Sequence, residues 1–143
     1  LKKFLFTLTF VLSSYTFAND HKHHVALFTG ATHSHELSYG TFGLDYEYKF
    51  SDMWGVGGLY EKIQTDPSTT VVLLQGSFHL DDLMLTAGIG KEENHGHSEG
   101  IKRIGAAYHF HVSSFSIAPS LNYDFIDDGN SAVVYGILWG VGF

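Results

Sequence analysis

The sequence predicts an all-β fold: an eight-stranded antiparallel up-and-down transmembrane β-barrel, preceded by a cleaved signal peptide. Three observations carry that prediction. Eight segments alternate with a period of two, the side-chain period of a strand. In each, one face is large and apolar or aromatic while the other is small or polar. The connections alternate between short (51–52, 81–82, 111–114) and longer (32–38, 62–69, 92–100, 126–130), the asymmetry of a barrel with short periplasmic turns and longer extracellular loops.

The final segment, from Ser131, shows the pattern most plainly. Tyr135, Ile137, Trp139, Val141 and Phe143 alternate with Gly136, Leu138, Gly140 and Gly142. A soluble strand turns its second face to water; this one has glycine there, as suits a crowded narrow lumen. Strand one, Val25 to Ala31, places Val25, Leu27, Thr29 and Ala31 toward lipid if Gly30 is inside. Strand two, Tyr39 to Phe50, sets Phe42, Leu44, Tyr46, Tyr48 and Phe50 against Thr41, Gly43, Asp45, Glu47 and Lys49. Strand three, Met53 to Glu61, turns Trp54, Val56, Gly58 and Tyr60 outward. Strand four, Thr70 to Leu80, turns out Val72, Leu74, Gly76, Phe78 and Leu80. Strand five, Leu83 to Lys91, and strand six, Ile101 to Phe110, follow the same rule, with Arg103 and His109 inward on the latter. Strand seven, Phe115 to Phe125, contains Pro119, which cannot donate to a ladder and predicts a local bulge.

Composition narrows the class. The chain of 143 residues has no cysteine, so neither disulfides nor thiolate metal sites exist. Lys2 and Lys3, the apolar run Phe4 to Leu12 and Thr16-Phe17-Ala18 form a signal peptide, 1–18, cut before Asn19. The remaining domain, 19–143, has 125 residues, and loss of two lysines moves the formal charge from −7 to −9. An acidic chain argues against nucleic acid. A soluble eight-stranded barrel would need the opposite facing: apolar inside, polar outside. With the faces as assigned it would expose aromatic stripes to water, far beyond ordinary surface patches.

The whole of 19–143 resembles the small eight-stranded outer-membrane barrels of Gram-negative bacteria, of the OmpA-transmembrane-domain and OmpX-like type. The carboxy-terminal row Tyr135, Ile137, Trp139, Val141, Phe143 carries the resemblance most specifically. In that family such a row looks like the signal read by the barrel-assembly machinery. The resemblance implies location in the outer membrane, in contact with lipid and lipopolysaccharide.

Functional residues are sought inside and at the mouths. Inward polar candidates are Asp45, Glu47, Glu61, Gln75, Ser77, His79, Thr86, Arg103, His109, Ser120, Asn122 and Asp124. An isolated buried charge is costly, so Arg103 is expected to pair with one or more of Glu47, Glu61 and Asp124. Arg103, Glu61 and Asp124 fall toward the extracellular end; His79 and His109 fall toward the periplasmic end. Inward glycines at 43, 55, 57, 88, 90, 105, 136, 140 and 142 either leave space or accommodate Met84, Leu59 and Leu138. Lys91 and Lys102 are the outward charges; they snorkel or meet lipopolysaccharide phosphates. His33-x-His35 and His95-x-His97, in two extracellular loops, could supply four nitrogens to a divalent metal, and His21, His23 and His24 belong to a polar lead-in at the other mouth. His111 with Ser113 and Ser114 is the one group that tempts a lipid-modifying hydrolase or acyltransferase reading, with Asp81 and Asp82 on a separate turn. The expected function is a non-enzymatic surface or structural barrel with a polar plug and no cofactor. The alternatives are a narrow conduit for ions or small solutes and the lipid A-modifying enzyme.

Overall fold

A computed structural model describes residues 21–143; the signal-peptide reading of 1–18 lies outside the described residues. The chain forms β1 (His23–Ser34), β2 (Leu37–Lys49), β3 (Trp54–Ile63), β4 (Thr69–Leu80), β5 (Leu83–Asn94), β6 (His97–Tyr108), β7 (Phe110–Val112), β8 (Phe115–Ile126) and β9 (Ser131–Gly142). Each strand pairs antiparallel with its neighbour. β1 also pairs with β9, so the sheet closes. β6 and β7 both pair with β8 in one continuous register, Ala107 opposite Ser120 and Phe110 opposite Ile117. They are one stave with a gap, and the barrel has eight staves.

The gap has a local cause. The same register sets Tyr108 opposite Pro119, and the ladder stops there. Proline has no N–H to offer. On its other edge Pro119 stays paired with Ile137. The expected bulge is absent: no residue is inserted, and the cost is confined to a break in the ladder.

Register fixes the dimensions. One circuit runs His23, Tyr48, Val56, Gly76, Ala87, Ile104, Tyr123, Val133 and back to β1 at His33, ten residues from its start. Ten rises of about 3.3 Å against eight strand spacings of about 4.8 Å give a tilt of about 40° and a backbone radius of about 8 Å. Such a bore is filled by side chains.

The facing follows the alternation on every strand, including β1, where Ala26 and Phe28 are buried and Leu27 is exposed. By register, the outer wall carries a central aliphatic belt of Leu27, Leu44, Leu74, Ile104 and Leu121. Below it stand Tyr48, Trp54, Tyr108, Phe110 and Phe143, and above it Phe42, Tyr60, Tyr123, Phe125 and Tyr135. From lowest to highest ring this band is about 25 Å tall, the height of the apolar band of a membrane barrel.

The strands outrun their apolar stretches. Ser34 pairs with Leu37 and Asn94 with His97, so the connections there are the two residues His35-Glu36 and His95-Gly96. Three of those four have φ between 49° and 67°, and Gly96 has 81°, the left-handed geometry of tight hairpin turns. The remaining connections are 50–53, 64–68, 81–82, 113–114 and 127–130. The expected contrast between short turns and long loops therefore largely disappears. Backbone pairing does not need apolar side chains, so the ladders continue into polar sequence. At the other end, His23 and His24 belong to β1 rather than to a lead-in.

Candidate functional site

The interior is built in tiers by the inward alternate residues. In the upper tier, Arg103 of β6 reaches Glu61 of β3 and Asp124 of β8. Its Nη1 and Nη2 donate to the two Glu61 oxygens at 2.8 and 2.9 Å, and its Nε and Nη2 donate to those of Asp124 at 2.5 and 2.8 Å. Arg103, Glu61 and Asp124 are 2%, 1% and 2% exposed. Both forks are bidentate, the strongest geometry available to this pair type. One guanidinium thus serves two carboxyl groups. Around it Leu59, Ile63, Val71, Leu73 and Ile101 form an apolar cluster, with Tyr39 and Ile126 against it. Thr32 and Thr41 hydroxyls pair at 2.7 Å beside it.

Below, Gln75 Nε2 donates to Asp45 at 3.0 Å. Ala26, Phe28, Met84, Ala107, Ala118, Val134 and Leu138 form a second apolar cluster. The voids between the tiers measure about 10 and 20 Å³, room for about one water each.

The inward glycines mostly receive polar side chains and the Phe28 ring. That ring lies over Gly30 and Gly136, Asn122 lies over Gly105, and Glu61 over Gly43. Of the two alternatives the sequence left open, space or accommodation of Met84, Leu59 and Leu138, neither describes the nearest contacts of these glycines. At Gly57 the constraint is the backbone itself, since a Cβ would overlap the Tyr46 carbonyl.

The lowest tier, about 15 Å beneath Arg103 along the axis by register, opens at the end that bears both His21 and Phe143. A cavity of about 250 Å³ is lined there by His21, His24, Glu47, Lys49, His79, Asp81, His109, His111, Ser113, Ser114 and Ser116. Glu47, not paired with Arg103, accepts hydrogen bonds from Ser77 Oγ and His79 Nε2, the latter at 2.7 Å. His24 Nε2 lies 3.1 Å from Ser116 Oγ. His109 is 8% exposed, and its Nε2 has no hydrogen-bond partner. The ring of His109 lies 5.8 Å from His24, 6.4 Å from His79 and 5.7 Å from His111.

Of the expected pairings, Arg103 takes Glu61 and Asp124 but not Glu47. His79 and His109 stand at the end foreseen for them, together with Glu47. The two His-x-His turns sit on opposite sides of the rim, because two staves lie between β1–β2 and β5–β6 in either direction. His33 Nδ1 instead pairs with Ser38 Oγ at 2.8 Å. Among the described residues, no three His, Asp or Glu side chains converge on a coordination point, so His33, His35, His95 and His97 do not form one site as positioned. Asp82, on its separate turn, comes beside His111, at 3.7 Å with both side chains exposed. Neither Ser113 nor Ser114 hydrogen-bonds that imidazole. His24 and Ser116 were missed as a pair; extending the strand-one alternation two residues back from Ala26 would have turned His24 inward. Lys62 was missed because β3 was ended at Glu61. It faces outward, and by register it stands level with Lys91 and Lys102.

No family model and no curated protein matches the chain. Solved structures do. The N-terminal β-barrel domain of Pseudomonas aeruginosa OprF superposes with a TM-score of 0.62 at 14% identity, over 87% of this chain and 100% of that one. Yersinia pestis Ail in a phospholipid bilayer nanodisc gives 0.56 at 17% identity, over 87% and 100%. A de novo designed transmembrane β-barrel gives 0.58 at 14% identity, over 86% and 98%. A designed barrel matching as well as natural ones shows that the likeness is one of fold, that of a small outer-membrane barrel.

Proposed function

We propose that this chain is a non-enzymatic outer-membrane barrel with a structural or surface-interaction role, its bore closed by polar side chains. The observation that carries the reading is the buried Arg103–Glu61–Asp124 clamp, tied across three staves with a water-sized void directly beneath it. An ion crossing the bore would have to part hydrogen-bonded charges in a low-dielectric interior, which is expensive. The apolar band of about 25 Å and its aromatic girdles support a transmembrane position. In this reading the end bearing Phe143 and the turns 50–53, 81–82 and 113–114 is periplasmic. The outward row Tyr135, Ile137, Trp139, Val141 and Phe143 presents itself to the barrel-assembly machinery during biogenesis.

Lys62, Lys91 and Lys102 support contact with lipopolysaccharide. They lie at the level of Phe42, Tyr123 and Phe125, where a headgroup phosphate would stand and where an outward charge costs only about 0–1 kcal/mol. The hairpin turns are too small for a broad adhesive surface, so the outer wall is the larger interaction face.

The test is single-channel recording of the refolded barrel in planar bilayers. Closed bores give no steps above background. Stable steps from demonstrably folded protein would overturn the plug and establish the conduit reading.

A further inference from the structure

The histidine tier at the open lower end is not used by the plug. We propose that it is a binding site for a divalent transition-metal ion of the imidazole-preferring class (zinc, nickel or copper), with His109 as the central ligand and His24 and His79 beside it. The inference goes beyond the structural role and is independent of whether the bore conducts.

Four observations support it. First, His109 is buried, lines the cavity and has an Nε2 without a hydrogen-bond partner. A buried imidazole nitrogen left unpaired is uncommon, because the desolvated lone pair or N–H has lost its water without replacement. Second, three further imidazoles surround it, with ring centres 5.7 to 6.4 Å away. Two imidazoles on one tetrahedral ion, with metal–nitrogen bonds of about 2.0 Å, have ring centres about 5 Å apart. As positioned the rings do not converge; each lies about 1 Å farther from His109 than two ligands of one ion would, and side-chain rotation into the cavity has to bring His24 and His79 onto a common point.

Third, the flanking rings are already oriented. Nε2 of His79 is held by the Glu47 carboxylate at 2.7 Å and Nε2 of His24 by Ser116 Oγ at 3.1 Å, which leaves Nδ1 of each for a ligand. A histidine whose other nitrogen donates to a carboxylate is the usual second-sphere arrangement of a metal ligand, since it fixes the tautomer and raises basicity. Fourth, the cavity of about 250 Å³ admits an ion with bound water, and Glu47 and Asp81 on its wall offset the ion's charge against the single Lys49. Nitrogen donors select transition metals over calcium and magnesium, which take oxygen. The ligands come from β1, β4 and the β6–β7 gap, so only the closed barrel assembles the site.

The test is isothermal titration of untagged, refolded protein in detergent micelles with Zn²⁺, and with Ca²⁺ and Mg²⁺ for comparison. Expected is one Zn²⁺ per chain and no heat from the other two. His109→Ala should weaken binding at least about tenfold and His79→Ala should weaken it measurably. The fourfold alanine variant at His33, His35, His95 and His97 should leave it unchanged. Folding is checked by heat-dependent electrophoretic mobility. Should His109→Ala not fold, ring-nitrogen NMR of the unmutated protein reads the same question, with Zn²⁺ displacing the His109 resonance. Absence of Zn²⁺ binding by the folded barrel, or binding lost in the fourfold variant and kept in His109→Ala, overturns the proposal.

Discussion

Replacing Arg103 with Met is the most informative perturbation of this barrel. The substitution keeps most of the apolar stem and removes the guanidinium that donates to Glu61 and Asp124. Those carboxylates remain 1% and 2% exposed, with no cation left in their tier. Removing one partner of a buried charged cluster costs about 3–5 kcal/mol, because the survivors stay desolvated and unpaired. The structure argues for the upper part of that range: four charge-assisted hydrogen bonds are lost and two carboxylates are orphaned. A loss of about 3–5 kcal/mol lowers the folding equilibrium constant by about two to four orders of magnitude. The assay is reversible urea unfolding in lipid vesicles, followed by tryptophan emission from Trp54 and Trp139. A companion variant sharpens it. Arg103→Met with Glu61→Leu and Asp124→Leu removes every charge together, and should recover most of the loss, since apolar replacement of a whole buried cluster is often neutral or stabilising. A loss under about 1 kcal/mol for Arg103→Met alone would refute the reasoning. It would mean that water reaches this tier and that the clamp does not close the bore.

Other variants probe the remaining features. Leu27→Arg, in the middle of the outer belt, should destabilise the barrel by about 2–4 kcal/mol, whereas Lys102→Ala at the girdle should change stability little; unfolding in vesicles compares them. Combined Lys62, Lys91 and Lys102 substitution by alanine should reduce co-purification with lipopolysaccharide without altering the fold, and unchanged retention would remove the phosphate-contact reading. Gly57→Val drives a side chain into the Tyr46 carbonyl and should cost about 1–3 kcal/mol or more, read as a lowered yield of folded, heat-modifiable protein. Pro119→Ala restores an N–H opposite Tyr108. If that donor closes the β6–β7 gap it should stabilise by about 0.5–1.5 kcal/mol, with slow hydrogen exchange of the newly introduced amide as the direct readout.

Fold class and facing were legible in the sequence because both are local. In a strand the side chain alternates at every residue, so Phe42, Leu44, Tyr46 and Tyr48 had to share a face opposite Thr41, Gly43, Asp45 and Glu47, whatever their neighbours. An apolar outer row with a glycine or polar inner row then left lipid as its only compatible surroundings. Strand ends were less legible. Hydropathy marks where the membrane belt stops, while hydrogen-bonded pairing carries β1, β5 and β6 further, and this moved His33 out of a loop; the same extension of β3 put Lys62 onto the outer wall. The sequence by itself thus determined the strand count, the outward and inward sets and the polar character of the bore. Only the tertiary structure decided which inward groups meet. The ten-residue displacement around the closed barrel sets Arg103 level with Glu61 and Asp124 and gives Glu47 to Ser77 and His79. It also gathers His24, His79 and His109 at one mouth while holding the two His-x-His turns apart. Partners far apart in the chain, as Arg103 is from Glu61 and His24 from His109, are chosen by accumulated register, and no single strand records that quantity.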